Sequence, residues 1–225
     1  MVGEGHAPVV AVLVPAVWQA DETIPGPQRA CIVETALASE HVKRLRVPSA
    51  VMAGPVVCLR LVRTADELGP VVLLAGEFEE WVRARILADY GIDFEFKSQR
   101  DLFLDLDGLL EPRARLYIAE INGEPVGIGG LRPLAAHEAE IKRMYVRPSS
   151  RGLGVGRAIL QRLIDDARAL GYRTIRLDSA RFMHEAHALY GRFGFVPSSP
   201  HKWEFESMPT LRETAVFMRL DLGAD

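Results

Sequence analysis

The sequence predicts an α/β (α+β) fold, one sheet flanked by helices, on three observations. Two β-rich runs, Arg115 to Ile121 and Glu124 to Leu131, are separated by Asn122-Gly123, the dipeptide best suited to a two-residue hairpin turn. A third run, Ala139 to Val146, leads into a loop crowded with glycine, and an amphipathic helix follows the loop. After that helix comes another β-rich run, Thr174 to Asp178. Strand, crossover helix and strand then form a right-handed βαβ unit with the loop at the carboxyl end of its first strand.

Taken in order, residues 1–55 carry six of the 14 prolines without sustained strand alternation, and are expected to form an N-terminal appendage, poorly structured or of unknown role. A helix from Arg29 to Arg46 is one reading of its middle, with Ala30, Val33, Leu37 and Leu45 apolar and Lys43-Arg44 suited to its C-terminal dipole. One helix without a partner makes no helix-turn-helix, so DNA reading is not expected of it. Met52 sits just before the first convincing strand, which motivates the hypothesis that the folded domain, 56–225, or even translation, begins near there. Val56 to Arg63 reads as that strand, and Thr64 to Glu67 has the spacing of a capping box. A helix follows, broken or delayed by Gly69-Pro70, with Leu74, Phe78, Trp81, Val82, Ile86 and Leu87 near helical spacing up to Gly91. Phe78 and Trp81 are read there as core residues rather than cleft lining. Leu102 to Leu110 reads as a second short helix. The helix after the glycine loop repeats Val155, Ile159, Leu163, Ala167 and Leu170, widened by Leu160 and Ile164, and closes at Gly171. A short helix, His184 to Phe193, ends at Gly194, and Glu213 to Leu222 alternates as a closing strand.

Composition narrows the function. Of 225 residues, 48% are hydrophobic and 25% charged, ordinary for a globular protein. The net charge of −3, without a basic stripe, argues against a nucleic-acid partner. Cys31 and Cys58 have no metal-ligand spacing and are too few to staple a fold of this size, so a reducing cytoplasm is the expected setting. Ala7 to Ala20 is apolar, but Pro15 interrupts it, no basic residue precedes it and no Ala-x-Ala site follows. It is also too short to span a bilayer, so neither a signal peptide nor a membrane is expected.

The glycine loop is the centre of the chemistry. Gly152, Gly154 and Gly156 leave room for successive backbone N–H groups to point into one concavity at a helix start, and Arg151 and Arg157 bracket it with positive charge. That is what a pyrophosphate calls for. The commoner phosphate loops fail on their own letters. Gly156 is followed by Arg157-Ala158 where a Walker A loop needs Lys-Ser/Thr, and no G-x-G-x-x-G can be counted from Gly152 or Gly154.

What fits is Arg-x-x-Gly-x-Gly, Arg151 to Gly156, which resembles the acetyl-CoA pyrophosphate loop of the GNAT superfamily of N-acetyltransferases. Two further segments share the resemblance in the right order: Glu140-Ile141-Lys142-Arg143-Met144-Tyr145-Val146 before the loop, and Leu189-Tyr190-x-x-x-Gly194-Phe195 after it. The likeness spans residues 56–222 and implies a mixed, mostly antiparallel central sheet flanked by helices around a βαβ acetyl-CoA-binding core. It implies acetyl-CoA as co-substrate, no metal, and direct attack of an amine on the thioester in a ternary complex. Arg151, Gly152, Leu153, Gly154, Val155, Gly156 and Arg157 are then the pyrophosphate site. Main-chain groups of Met144, Tyr145 and Val146, on a strand splayed from its neighbour, receive the pantetheine arm. Tyr190 stands where the family carries the proton donor for the leaving thiolate, and Glu140 where many relatives place the base that deprotonates the amine. Glu138 or an acidic residue of the early helices stays open as an alternative base.

Other readings are weaker. His184 and His187 lie three apart on a helix but lack a third metal ligand, and His137-x-x-Glu140 meets the same objection. Cys58 has no local histidine, and direct transfer needs no acyl-enzyme. A non-catalytic acyl-CoA sensor is the alternative function, opposed by Tyr190, since sensing needs no proton donor. A further one is an interaction protein that binds a partner through its early segment. The acceptor, a small-molecule or peptide amine, is left open, and so is the oligomeric state, with a homodimer one option because dimers are common in the family.

Overall fold

The computed structural model describes residues 30–33, 55–94, 108–200 and 209–223. The chain runs β1 (Ala30–Val33), β2 (Val57–Leu61), α1 (Gly69–Tyr90), β3 (Arg115–Ile121), β4 (Glu124–Ala135), β5 (Glu138–Val146), α2 (Val155–Ala169), β6 (Thr174–Ala180), α3 (His184–Arg192), β7 (Val196–Pro197), α4 (Pro209–Arg212) and β8 (Ala215–Asp221). The eight strands make one sheet in the order β1-β2-β3-β4-β5-β6-β8-β7. Only β1 with β2 and β5 with β6 pair in parallel, so the sheet is mixed and mostly antiparallel, as the resemblance implies.

Local chemistry sets most of these boundaries. Asn122 and Gly123 take φ of 54° and 82°, the left-handed pair that a tight hairpin between β3 and β4 demands. Pro70 falls in the first turn of α1, where its missing N–H costs nothing, so it starts the helix instead of delaying it. At the far end Gly91, φ 68°, donates its N–H to the Leu87 carbonyl and closes α1. The expected Thr64 box is present in part of its form: Glu67 Oε2 accepts from the N–H groups of Arg63 and Thr64 at 2.7 and 3.1 Å.

Both faces of the sheet are covered, which is why Leu116 to Ala119 are all buried in a row. Tyr117 and Ala119 face α2 with Ile159, Leu160 and Leu163, whereas Leu116 and Ile118 meet Leu68, Val71 and Leu74 of α1 and its lead-in. Each fully buried Leu or Ile contributes about 1.5–3 kcal/mol. Leu87, read from the sequence as part of the α1 stripe, is 46% exposed, and the stripe ends at Ile86.

β4 carries three bare positions, Gly127, Gly129 and Gly130, that no sequence expectation used. A Cβ on Gly127 would come within 2.8 Å of the Tyr145 carbonyl oxygen, one on Gly129 would run into Ile159 of α2, and one on Gly130 would meet Leu109 at 2.9 Å. Helix α2 therefore lies directly on main chain.

One expectation meets a different outcome. Ala30 to Val33, placed at the start of a helix by periodicity, is a strand paired in parallel with β2. Its backbone satisfies a row of β2 edge groups, which outweighs helical spacing. The rest of the Arg29 to Arg46 helix, and the Leu102 to Leu110 helix up to residue 107, lie outside the described residues.

Candidate active site

The site begins where β5 and β6 part. Their parallel pairing holds only at Glu138 with Thr174, Ala139 with Ile175 and Glu140 with Arg176. Beyond that β5 carries a bulge: Ile128 faces Tyr145 and Gly130 faces Lys142, so Arg143 and Met144 together oppose Gly129. Arg143 takes φ 56° to make the turn. A cavity opens between the diverging strands. Ile141 to Met144 of β5, Leu177 to Ala180 of β6 and Tyr190 of α3 line it, together with Phe78, Val82 and Ile86 of α1, Phe94 and Leu211.

At the carboxyl end of β5 a single turn, Pro148–Ser150, leads into the glycine loop. Gly152 and Gly154 adopt φ of 78° and 84°, a conformation other residues rarely take, and Gly154 is the residue before the first turn of α2. The leading N–H groups of that turn, from Val155 to Arg157, have no acceptor within the helix. Gly156 is different: it is helical, and a Cβ there would merely touch Leu189 at 3.5 Å. Leu153 is exposed at the tip. Arg151 donates from Nε to the Val146 carbonyl at 3.2 Å and lies 5.0 Å from the Trp81 ring centre, while Arg157 lies 5.8 Å from that of Phe193.

Tyr190 is buried, with its hydroxyl 3.8 Å from the Met144 sulfur and its ring 5.8 Å from Phe195. Burial, with the Asp178 charge adding to it, pushes the phenol above its usual range, so it stays protonated at neutral pH. The structure thus brings Tyr190 to the bulge of β5. Glu140 it places elsewhere. That carboxylate is 1% exposed, outside the cavity lining, with Oε2 3.0 Å from both Nε and Nη2 of Arg132 and Oε1 3.7 Å from Lys142 Nζ. Lys142 bridges onward to Asp178 Oδ1 at 3.3 Å. Among the described residues Asp178 is the carboxylate that lines the cavity. Sequence reading passed over it because a single acidic residue in a strand has no signature; only the splay turns it inward. Glu138, the alternative, holds Arg176 through contacts of 3.1 Å at the β5–β6 junction.

A clamp joins α1 to β5 above the cavity. Glu77 accepts from Arg147 Nη2 at 2.6 Å and from its Nε at 3.0 Å, and Arg143 Nη1 meets Glu79 Oε1 at 2.7 Å. The Arg147 hydrogen bonds hold the Glu77 carboxyl below its usual range. Trp81, read as core, is half-buried and packs edge-on against Phe182 at 5.2 Å, and Phe78, also read as core, lines the cavity.

The remaining candidates do not converge. His137 is exposed while Glu140 is buried. His187 Nε2 lies 3.3 Å from the Ser179 hydroxyl, and burial followed by the nearby His184 holds its imidazole below the usual histidine range. Among the described residues, no three His, Cys, Asp or Glu side chains are grouped to hold a metal, and no helix is long and apolar enough to cross a membrane. Cys58, on β2, stands opposite Glu120 of β3.

Known proteins resemble this chain in sequence and in fold. The chain is similar to the IAA acetyltransferase of Azospirillum brasilense, 33% identical over 106 residues that cover 47% of this chain and 69% of that one. It is also similar to the N-acetyltransferase YjgM of Escherichia coli, at 31% over 118 residues, 49% and 70% of the two chains. An acetyltransferase structure from Streptococcus agalactiae superposes with a TM-score of 0.56 at 19% identity, covering 73% of this chain and 98% of that one. The yncA structure from Salmonella typhimurium, solved with its cofactor acetyl-CoA, superposes with a TM-score of 0.53 at 17% identity, covering 75% and 95%. The model of the acetyltransferase (GNAT) family matches residues 79–195, from the middle of α1 through the bulged strand, the glycine loop and Tyr190 to Phe195. The chain belongs to that family and is an acyltransferase.

Proposed function

We propose that this protein moves the acetyl group of acetyl-CoA to the amine of a small molecule or peptide, by direct attack in a ternary complex. The observation that carries the reading is that one strand serves three features: β5 pairs with β6 only as far as Glu140, it carries Met144 beside the Tyr190 hydroxyl, and it leads into the glycine loop. Acetyl-CoA supplies an activated thioester. The amides from Gly152 to Arg157, with Leu153 at the tip and Arg151 and Arg157 at the sides, hold the diphosphate, and main-chain groups of Met144, Tyr145 and Val146 take the pantetheine arm as an added strand would. Arg151 leaves the Val146 carbonyl as it turns to the phosphates.

When the C–N bond forms and the C–S bond breaks, Tyr190 gives its proton to the sulfur and is reprotonated from solvent. The amine proton passes, through water, to Asp178, which faces the cavity. Glu140, the base expected from the sequence, here acts at one remove: it anchors Lys142, and Lys142 positions Asp178. The test is twofold. Calorimetry of the full chain with acetyl-CoA should give saturable heat, and thiol release should appear when amines are added. No heat on titration would sink the proposal, and heat without thiol release across a broad amine panel would leave only the sensor reading.

A further inference from the structure

The α1 wall of the cavity differs in chemistry from the wall made by β5 and β6. Phe78, Val82 and Ile86 occupy successive turns of one α1 face, and Phe94 and Leu211 join them, with Val82, Ile86, Phe94 and Leu211 each at most 7% exposed. Those four form an apolar cluster of their own, and Phe78 packs against both it and the cluster between α1 and the sheet. Two cations, Lys142 and Arg143, and one anion, Asp178, complete the charged lining. Each cation already has its carboxylate, Lys142 at 3.3 Å from Asp178 and Arg143 at 2.7 Å from Glu79.

We propose that the acceptor is a small monoamine bearing an aliphatic or aromatic group, its nitrogen beside Asp178 and its apolar part along the α1 wall. This rests on the transferase reading above. The wall excludes water from an apolar substituent and rewards its burial. A second ammonium group on the same molecule would face either that wall, where an unpaired charge is costly, or Lys142 and Arg143, whose carboxylates already have partners. Polyamines and aminoglycosides are therefore poor acceptors, as are lysine-rich protein tails.

The test follows thiol release from acetyl-CoA with two apolar monoamines, 2-phenylethylamine and 3-methylbutylamine, and two polycations, spermidine and kanamycin. The expected result is kcat/KM for the monoamines higher by on the order of tenfold or more, the scale on which hydrophobic pockets discriminate. Val82→Asp should narrow or reverse that ranking while acetyl-CoA affinity, read by calorimetry, is unchanged. If Val82→Asp loses its thermal transition, Phe78→Asp, at a half-buried position, takes its place, and the wild-type ranking decides by itself. Polycations preferred, or release with other amines of the broad panel but with neither monoamine, would overturn the acceptor assignment alone. Failure of acetyl-CoA to bind, or binding without release across the whole panel, would instead bring down the transferase reading and this one with it.

Discussion

Replacing Tyr190 by Phe separates catalysis from packing, because the hydroxyl has so little structural work. Among the described residues the hydroxyl's hydrogen-bond partner is the Met144 sulfur at 3.8 Å, a weak acceptor, and the ring keeps its contact with Phe195. Deleting it should cost less than about 1 kcal/mol of stability, or under about 4 °C in Tm for a chain of this size. A general acid contributes about 10²–10⁴-fold, and a thiolate of parent pKa about 8.5 needs less help than an amine, so the low end applies. We expect kcat at saturating acetyl-CoA to fall about a hundredfold, equivalent to about 2.7 kcal/mol in the barrier. Acetyl-CoA affinity should be preserved. Alkaline stability gives a second readout. Burial raises the Tyr190 phenol above its ordinary value, so its stabilising contribution is complete below about pH 10, where the unfolded tyrosine still holds its proton. It is lost as the pH climbs from there towards the folded value. Tyr190→Phe should flatten that decline, and buried Tyr117, raised by burial and its Asp166 hydrogen bond, should keep part of it. If kcat stayed within about threefold of wild type from about pH 6 to about pH 9, the acid assignment would be wrong.

Four further outcomes are expected. Gly154→Val forces a β-branched residue to φ 84° at the mouth of the loop, and calorimetry should show acetyl-CoA binding abolished with only about 1–3 kcal/mol lost in stability. Asp178→Asn should lower kcat/KM for the amine about a hundredfold and steepen its rise with pH, because only acceptor molecules that are already neutral can then react. Glu140→Gln should act chiefly on folding: it strips Arg132 and Lys142 of a buried counter-charge, and denaturant titration should record a loss of about 3–5 kcal/mol. A kcat defect without that loss would return the base to Glu140. Gly129→Ala drives a methyl group into Ile159 and should lower Tm by about 5 °C, corresponding to about 2 kcal/mol of overpacking.

What the sequence disclosed, and what it withheld, divides along the range of the interactions involved. The hairpin was legible because Asn122 and Gly123 are chosen by backbone dihedrals inside the turn itself. The same holds for the loop at Gly152 and Gly154 and for the stop at Gly91. The segment around Tyr190 was legible because it resembles a family motif. The place of Asp178 in the cavity was not, since it depends on β6 leaving β5 after only three paired positions, a property of two strands that are 38 residues apart at Arg176 and Glu138. The burial of Glu140 against Arg132 was hidden for the same reason: it arises from β4 lying alongside, which no local pattern in β5 announces. The Arg143 bulge is equally silent, because the extra residue changes register without changing composition. Phe78 has the spacing of a core residue and the position of a lining one.

The bare run in β4 reaches further than its own packing. With no side chains at Gly127 and Gly129, helix α2 can settle onto the strand until Val155 and Ile159 meet peptide planes. The amides at the tip of α2 inherit that seat height. Two hydrogen atoms, standing where methyl groups would otherwise be, thereby set how deep the diphosphate of the proposed acetyl-CoA complex would sink towards the sheet.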